Sequence, residues 1–534
     1  MKHILRNLLI TLILGGVYFY VALPAINPHS SDFYSFIIGL CIVYIILTLI
    51  SRGLTDYSKG LRAYIKTIIK NCKIPAFIII AAVAVSLIGS AASWKLIRAK
   101  DYRDLITVEQ GDFAQDVDEI SFDKIPVLDK NSAQRLGDRK LGELSEMVSQ
   151  FEVSDDYTQI NLHDKPVRVT PLEYADIIKW LTNRSSGLPA YIVIDMTNQT
   201  AEVVRVDEGI KYSDSELFGR NIYRHLRFNY PTFMFAAPTF EIDENDNPYW
   251  VCPRVVKRIG LFGGTDIKGG VLVNAITGEC EYYEEVPTWV DRLYPADLIV
   301  EQYDYYGAYI NGFWNYIFGQ KGVTKTTSGY NYIAMNDDVY MYTGVTSTGN
   351  DQSNVGFLLS NQRTKETRYY SCAGATETSA MASAQGVVQH LNYSATFPLL
   401  LNVSGEPTYF MALKDNAELV KMYAMVNVRQ YQIVATATTV AECEKEYAKL
   451  LSQNNIADVP QAEATTVSGA ITDIKTAVIN GNTRYYLRIE GSDKYYSVNV
   501  SDYEEVITLS VGDRIKMQYS GGGRILLCTS IERE

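Results

Sequence analysis

Ile74-Pro-Ala-Phe-Ile-Ile-Ile-Ala-Ala-Val-Ala-Val-Ser-Leu-Ile-Gly-Ser-Ala-Ala-Ser-Trp94 runs for 21 residues without a charge. At 1.5 Å per residue this length matches the hydrocarbon core of a bilayer, so the stretch reads as a membrane-spanning helix. The 440 residues that follow are soluble in character and are expected on one side of the membrane. Two apolar runs precede it, Leu8 to Ile26 and Phe33 to Ile50, separated only by Asn27 to Asp32, which predicts a tight helical hairpin. Ser51 to Lys73 then carries Arg52, Lys59, Arg62, Lys66, Lys70 and Lys73 against Asp56 alone. Cytoplasmic loops collect Lys and Arg, so this segment and the N-terminus, with Lys2 and Arg6, are expected inside the cell, and three crossings put residue 95 onward outside. Lys95, Arg98, Lys100 and Arg103 oppose that assignment, but eight cations against four favour it. A cleavable signal peptide ending near Ala25 is the competing reading of the first run, whose apolar core is longer than usual for one. Ala82, Ser86 and Ser90, with Gly89 and Ser93 beside them, are small residues that would let another helix approach; a plain anchor is the alternative.

The net charge of −12 conceals an asymmetry: residues 1–103 sum to +9 and residues 104–534 to −21. Binding to a phosphate backbone needs clustered cations, so an acidic soluble part argues against nucleic acid as a partner. Tyrosine outnumbers phenylalanine 39 to 18, which suits strands and half-wet surfaces. The seven cysteines are too scattered for a disulfide framework; Cys252 and Cys280 form the nearest soluble pair, and buried free thiols are the favoured reading.

Beyond an acidic stalk, Asp101 to Asp129, helical spacing marks Leu136, Leu141, Leu144, Met147, Val148 and Phe151. Thr170-Pro-Leu-Glu173 has the form of a capping box, predicting a helix whose apolar face is Ile177, Ile178 and Leu181. From Ala190 an apolar strand, a polar turn and a second strand recur three times, at Tyr191 to Val204, Val271 to Tyr283 and Gly356 to Tyr370, each reading as a β-hairpin. Two of these copies continue alike. The first runs through a helical stretch, Asp214 to Leu226, then Tyr230, Thr232-Phe233 and a hairpin returning at Pro248-Tyr-Trp. The other runs through Ala373 to Leu391, then Tyr393, Thr396-Phe397 and a hairpin returning at Pro407-Thr-Tyr. The order hairpin, helix, hairpin predicts an internal duplication of an α+β module. With the turns Asp195 to Thr200 and Asn274-Ala-Ile-Thr-Gly278 inside strand pairs, that order resembles the PepSY domain, a small α+β unit of membrane-attached and secreted bacterial proteins. The resemblance covers roughly a third of the chain, implies a regulatory or binding role outside the cell, and transfers no catalytic residue.

Glu301 to Gly322 holds eight aromatics, with Tyr306, Ile310, Phe313 and Ile317 on one helical face, and reads as a core helix between modules, with membrane-surface contact as the alternative. Thr439 caps a short helix to Leu451. The last 70 residues form five strand candidates, Val467 to Lys475, Thr483 to Ile489, Tyr495 to Val500, Arg514 to Tyr519 and Ile525 to Ile531, with a hairpin turn at Asn480-Gly481. Together with Val511-Gly-Asp-Arg514 they resemble an OB-like barrel, and their balanced charge suits a protein contact rather than nucleic acid.

Candidate chemistry is sparse. Cys372, expected at a helix start, is the best nucleophile candidate. His390 would lie five turns away and could not serve as its base. His163, His225 and His390 are too dispersed for zinc. Asp243-x-Asn245-x-Asn247 opens like a calcium loop, but Pro248 and Arg254 stand where glycine and glutamate are needed, so a hairpin turn is expected. Gly260-Leu-Phe-Gly-Gly264 lacks the Lys-Ser/Thr of a phosphate loop. Glu377 and Asp351 are unassigned carboxylates. No catalytic residue, cofactor or metal is therefore assigned.

The expected architecture is a multi-domain membrane protein: three transmembrane helices (1–100), a helical neck (101–188), α+β module 1 (189–300), an aromatic-rich connector (301–345), α+β module 2 (346–452), a linker (453–464) and an OB-like barrel (465–534). The expected role is a membrane-anchored extracytoplasmic scaffold or binding protein that engages other envelope proteins, with self-association left open. The alternatives are an envelope hydrolase with a carboxylate site between the modules and an accessory subunit of a membrane transporter.

Overall fold

The computed structural model describes residues 2–56, 61–119, 125–335, 337–347, 353–454, 456, 465–479, 482–500, 503–520 and 525–533, with the side chains of 52–67 and a few strand-end residues left aside. Asn480-Gly481, Asp351 and most of the expected linker lie outside the described residues. The chain divides into two units, Met1–Val434 and Ala435–Glu534.

Three helices open the first unit: α1 (Lys2–Ala22), α2 (Ser31–Asp56) and α3 (Leu61–Ala92). Each is long and apolar enough to cross a membrane. Their apolar side chains point outward, Ile80, Leu87 and Ile88 among them, an arrangement that suits lipid and not water. Asn7 of α1 donates to Ser51 Oγ (2.9 Å) and Thr48 Oγ1 (3.4 Å) of α2, a polar clamp between two spans. A short helix, α4 (Lys95–Arg103), follows at once.

The remainder of the first unit is built on one motif made four times: a helix, then an antiparallel meander whose first strand is broken in two, with four strands in each of the first three copies. The helices are Lys130–Gly142, Ile222–Asn229, Ala296–Ala308 and Glu377–Val387. The first sheet follows as Phe151–Val153 with Thr158–Leu162, then Lys165–Tyr174, Leu188–Asp195 and Thr200–Ile210. The second is Met234–Phe235 with Thr239–Ile242, then Pro248–Ile259, Gly263–Asn274 and Cys280–Tyr283. The third is Thr324–Thr326 with Asn331–Met335, then Asp338–Ser347, Ser353–Asn361 and Thr367–Ala375, with Val108–Gly111 added in parallel at its edge. The fourth is Ser394–Ala395 with Leu399–Val403, then Glu406–Lys414 and Val420–Asn427; the chain passes to the second unit on Val434–Ala437. Each helix covers one face of a sheet, as where Ala296, Ile299 and Tyr303 pack on Val339, Met341 and Leu358.

Two details recur in all four copies. Where the first strand breaks, the carbonyl of the second strand at Pro171, Pro253, Gly344 or Ala412 accepts from the amide of Ser154, Ala236, Thr327 or Thr396, at 3.1, 3.0, 2.8 and 2.9 Å. Proline is tolerated here because the ladder changes partner at this position. At the end of the third strand, Asp195, Asn274, Asn361 and Asn427 accept turn amides on Oδ1, at 2.8 Å from Thr197, 3.0 Å from Ile276, 2.8 Å from Arg363 and 2.8 Å from Gln430. Such side chains fold the turn back by imitating the backbone.

The expected duplication is therefore a fourfold repeat. The three hairpins of the sequence pattern are the third and fourth strands of the first three sheets, and the hairpin-helix-hairpin order straddles two neighbouring copies. The turns that carry the PepSY resemblance are third-strand turns of the first two copies. Thr170 to Glu173 do not begin a helix. They lie in strand Lys165–Tyr174, where Thr170 Oγ1 donates to Ser154 O (3.0 Å) and Leu172 is fully buried. Part of the expected helical neck is therefore sheet. The helix begins at Ile177, capped by Asp176, and leaves Ile177, Ile178 and Leu181 exposed while Trp180 is buried. The helical spacing up to Phe151 is interrupted after Gly142, and Phe151 starts a strand. The aromatic connector divides likewise: Tyr303 and Tyr309 are buried, whereas Trp314, Ile317 and Phe318 are exposed.

In the second unit, capped helix Val440–Gln453 precedes a closed five-stranded barrel in the order Thr465–Ile479, Asn482–Ile489, Tyr495–Asn499, Ile525–Arg533, Arg514–Ser520. Tyr495–Asn499 and Ile525–Arg533 are parallel, and Ile471, Leu487, Val498, Ile515, Met517 and Leu526 fill the interior.

Candidate ligand cavity at the membrane junction

The second repeat is built onto the ends of the spans. Arg224, on helix Ile222–Asn229, donates from Nε to Tyr20 O (3.2 Å) and lies over the Tyr20 ring. Arg227, one turn on, donates to Leu23 O (2.9 Å) and Phe233 O (2.6 Å). The α1–α2 connection is pinned by Ile26 N to Pro231 O (2.8 Å), Asn27 Nδ2 to Thr232 O (2.8 Å) and His29 Nδ1 with Leu261 O (2.9 Å). At the end of α3, Ser93 Oγ accepts from the amides of Leu261 (3.0 Å) and Phe262 (3.1 Å). The glycine-rich stretch Gly260 to Gly264 is thus a tight turn that holds a membrane helix. Gly260 has φ +59°, and a Cβ there would meet Ser93 Oγ at 2.4 Å and Ala92 C at 2.9 Å. Gly89 lies against Leu261, so Gly89 and Ser93 serve this soluble turn.

This junction borders an open cavity of about 310 Å³, lined by Ala25, His29, Ser30, Ser31, Asp32, Arg227, Met234, Phe235, Val255, Lys257 and Phe262. Burial lowers the basicity of both Lys257 and Arg227, with Asp32 opposing the effect on Arg227 and Glu301 that on Lys257. Lys257 Nζ donates to Thr265 Oγ1 (2.7 Å) and pairs with no carboxylate within 4 Å among the described residues. The chemistry available is recognition of an anion beside an apolar wall.

A second polar cluster lies where the first strands of the sheets converge. Glu241 accepts from Asp291 N (2.8 Å) and Thr239 Oγ1 (3.1 Å), and Asp291 accepts from Asn161 N (2.7 Å). Burial raises the Glu241 carboxyl to about 7 and pushes Asp291 well above the usual carboxylate range, its neighbour Glu241 adding to the rise. Arg168 Nη2 donates to Gln159 Oε1 (3.3 Å), and Arg292 donates to Tyr332 OH (2.7 Å). Glu241 is 0% and Asp291 2% exposed, and the nearby void, lined by Gln159 and Tyr332, holds only about 20 Å³. Glu241 and Asp291 lie 50 residues apart in the chain, so no local sequence pattern marks them as a pair.

The residues singled out from sequence do not come together. Cys372 sits within strand Thr367–Ala375, not at a helix start, and burial raises its thiol pKa. The helix begins at Glu377, capped by Thr376, and His390 follows it in a separate turn. His225 Nε2 meets Gly278 O (2.7 Å), and His163 Nε2 meets Glu244 O (3.3 Å). Asp243 turns its oxygens inward onto Asn245 N (2.9 Å) and Asn247 N (2.8 Å), as a hairpin turn requires. Glu377 is buried with a raised pKa. Cys252 and Cys280 are free thiols on the two strands flanking Gly263–Asn274. Among the described residues no three His, Cys, Asp or Glu side chains gather as a metal site.

No protein-family model matches the chain. No curated protein matches it either. Among solved structures, a levansucrase variant from B. megaterium aligns over 80% of this chain and 96% of its own, at 8% identity and a TM-score of 0.17, a level that establishes no common fold.

Proposed function

We propose that the protein is a membrane-anchored scaffold or binding protein whose soluble part lies outside the cell and engages other proteins of the envelope. The observation that carries this reading is the fourfold repeat behind three membrane spans, whose first strands converge on a filled meeting point and not on an open cleft. The basic stretch Ser51 to Lys73, which runs from the end of α2 into the start of α3, supports the orientation, since the α1–α2 connection and the end of α3 both attach to the second repeat. The C-terminal barrel is read as OB-like. Its strand order and its one parallel pair support that reading, and a protein contact is the expected use.

The hydrolase alternative has Glu241 and Asp291 in its favour, as paired carboxylates with raised pKa values. Their burial counts against it, because a substrate needs access. For a transporter subunit, the polar clamp within the spans is made of the uncharged Asn7, Thr48 and Ser51, whereas a transport pathway is marked by ionisable groups inside the membrane.

The test is made in intact cells. Asn454→Cys is labelled with a membrane-impermeant thiol reagent, and a photoreactive amino acid is placed at exposed Leu419 and Tyr431. Labelling without lysis, with discrete crosslinks to an envelope protein, is expected. Labelling only after lysis, or crosslinks only to cytoplasmic proteins, overturns the proposal.

A further inference from the structure

We propose that the cavity walled by His29, Asp32, Arg227, Lys257 and Phe262 binds the phosphate headgroup of an anionic phospholipid from the bilayer that α1–α3 cross. Its floor, Ala25 and His29 to Asp32, runs from the connection between two spans into the first turn of α2 and therefore lies at the membrane surface. An independent set of residues places the bilayer at the same level. Trp94 follows α3 directly and is 58% exposed. Trp314 and Phe318, 64% and 78% exposed, stack on each other and continue through Phe313 and Tyr309 to the Tyr305–Tyr102 contact beside α3. On the α1 side, Phe218 is 60% exposed, and its carbonyl accepts from Arg224, which covers Tyr20. Exposed aromatics beside the span ends suit the headgroup region, where an apolar body and a polar rim are both solvated.

Within that layer the cavity offers what a phospholipid headgroup needs. Arg227 spends Nε and Nη1 on backbone carbonyls, which leaves the Nη2 edge of its guanidinium. Lys257 has two ammonium hydrogens beyond its bond to Thr265. Met234, Phe235, Val255 and Phe262 form an apolar wall for the glycerol and the first acyl carbons. Asp32 is the one carboxylate in this wall, and it weakens the site without cancelling two cations. The inference holds on either side of the membrane, so it does not depend on the orientation proposed above.

The full chain in detergent would be examined by native mass spectrometry with phosphatidylglycerol, phosphatidylcholine or glycerol 3-phosphate added. One phosphatidylglycerol is expected to stay bound per chain. Removing one interfacial lysine lowers attraction to an anionic lipid by about fivefold, the loss expected for Lys257→Gln. Lys268→Gln, at an exposed lysine beside Glu284, leaves retention unchanged. Asp32→Asn raises it, and this second variant keeps the test decisive if the first melts early. Equal retention of phosphatidylcholine, or retention that ignores both Lys257 and Asp32, overturns the proposal. So does binding of glycerol 3-phosphate without lipid, which would assign the cavity to a free phosphate ester.

Discussion

Glu216 joins two donors of different elements: Tyr174 OH and Trp180 Nε1 each donate to it at 2.8 Å, all three side chains being buried. Glu216→Ala leaves both donors unpaired, and a loss of about 3 kcal/mol is expected in urea unfolding, with Glu216→Gln milder because it keeps one acceptor. Gly260 carries a conformational constraint of another kind. Alanine there would occupy the left-handed region and press on the backbone of Ala92, so Gly260→Ala is expected to lose about 2 kcal/mol, measured as a lower melting temperature in detergent. Glu216 has no distinguishing neighbours in sequence, and the glycine-rich stretch from Gly260 to Gly264 marks a turn without showing what the turn holds. Both acquire their roles from partners brought to them by other elements.

At the scale of elements, the spans were legible because membrane insertion demands some 20 apolar residues in succession, a purely local property. The helix from Ile177 was legible in its periodicity but not in its setting. Its apolar side chains face outward, so Leu181→Ser is expected to change stability by less than about 0.5 kcal/mol in urea unfolding, where a core leucine would cost several. The misplaced start has a physical reason. Thr-Pro-Leu-Glu satisfies a helix terminus locally, but strand pairing, of Thr170 and Pro171 with Ile192 and Tyr191 and of Leu172 and Glu173 with Val153 and Glu152, and burial of Leu172 outweigh a cap worth about 1 kcal/mol. The junction between α3 and the glycine turn rests on Ser93. Ser93→Ala strips two amides of their acceptor, and faster hydrogen exchange at Leu261 and Phe262 is the expected result.

For the whole molecule, the carboxylates at the convergence of the repeats tie stability to pH. A carboxyl with its pKa raised in the folded state holds a proton that the unfolded chain releases. Its stabilising effect is full below the unfolded value of about 4.3 and is lost as pH rises through about 7 at Glu241. The urea midpoint is therefore expected to fall between pH 5 and 8, and Glu241→Gln to flatten that fall; an unchanged slope would show that the proton resides elsewhere. The second unit has its own interior, so Ala435–Glu534 expressed alone is expected to melt cooperatively.

The spans, the charge contrast across α3, the recurring hairpins and the five strands at the C-terminus were determined by the sequence itself, because apolar length, alternation and turn residues act over a few neighbours. The number of repeats was not. Third-strand turns at Asp195, Asn274, Asn361 and Asn427 are unevenly spaced, and insertions such as Ile177–Asn183 disguise the shared order. Only the tertiary structure decided that the helix of each copy covers the sheet that follows it. It also brought His29, Arg227 and Lys257 to one cavity and buried Glu241 beside Asp291, because each of these contacts depends on strand pairing and packing between residues tens to hundreds of positions apart.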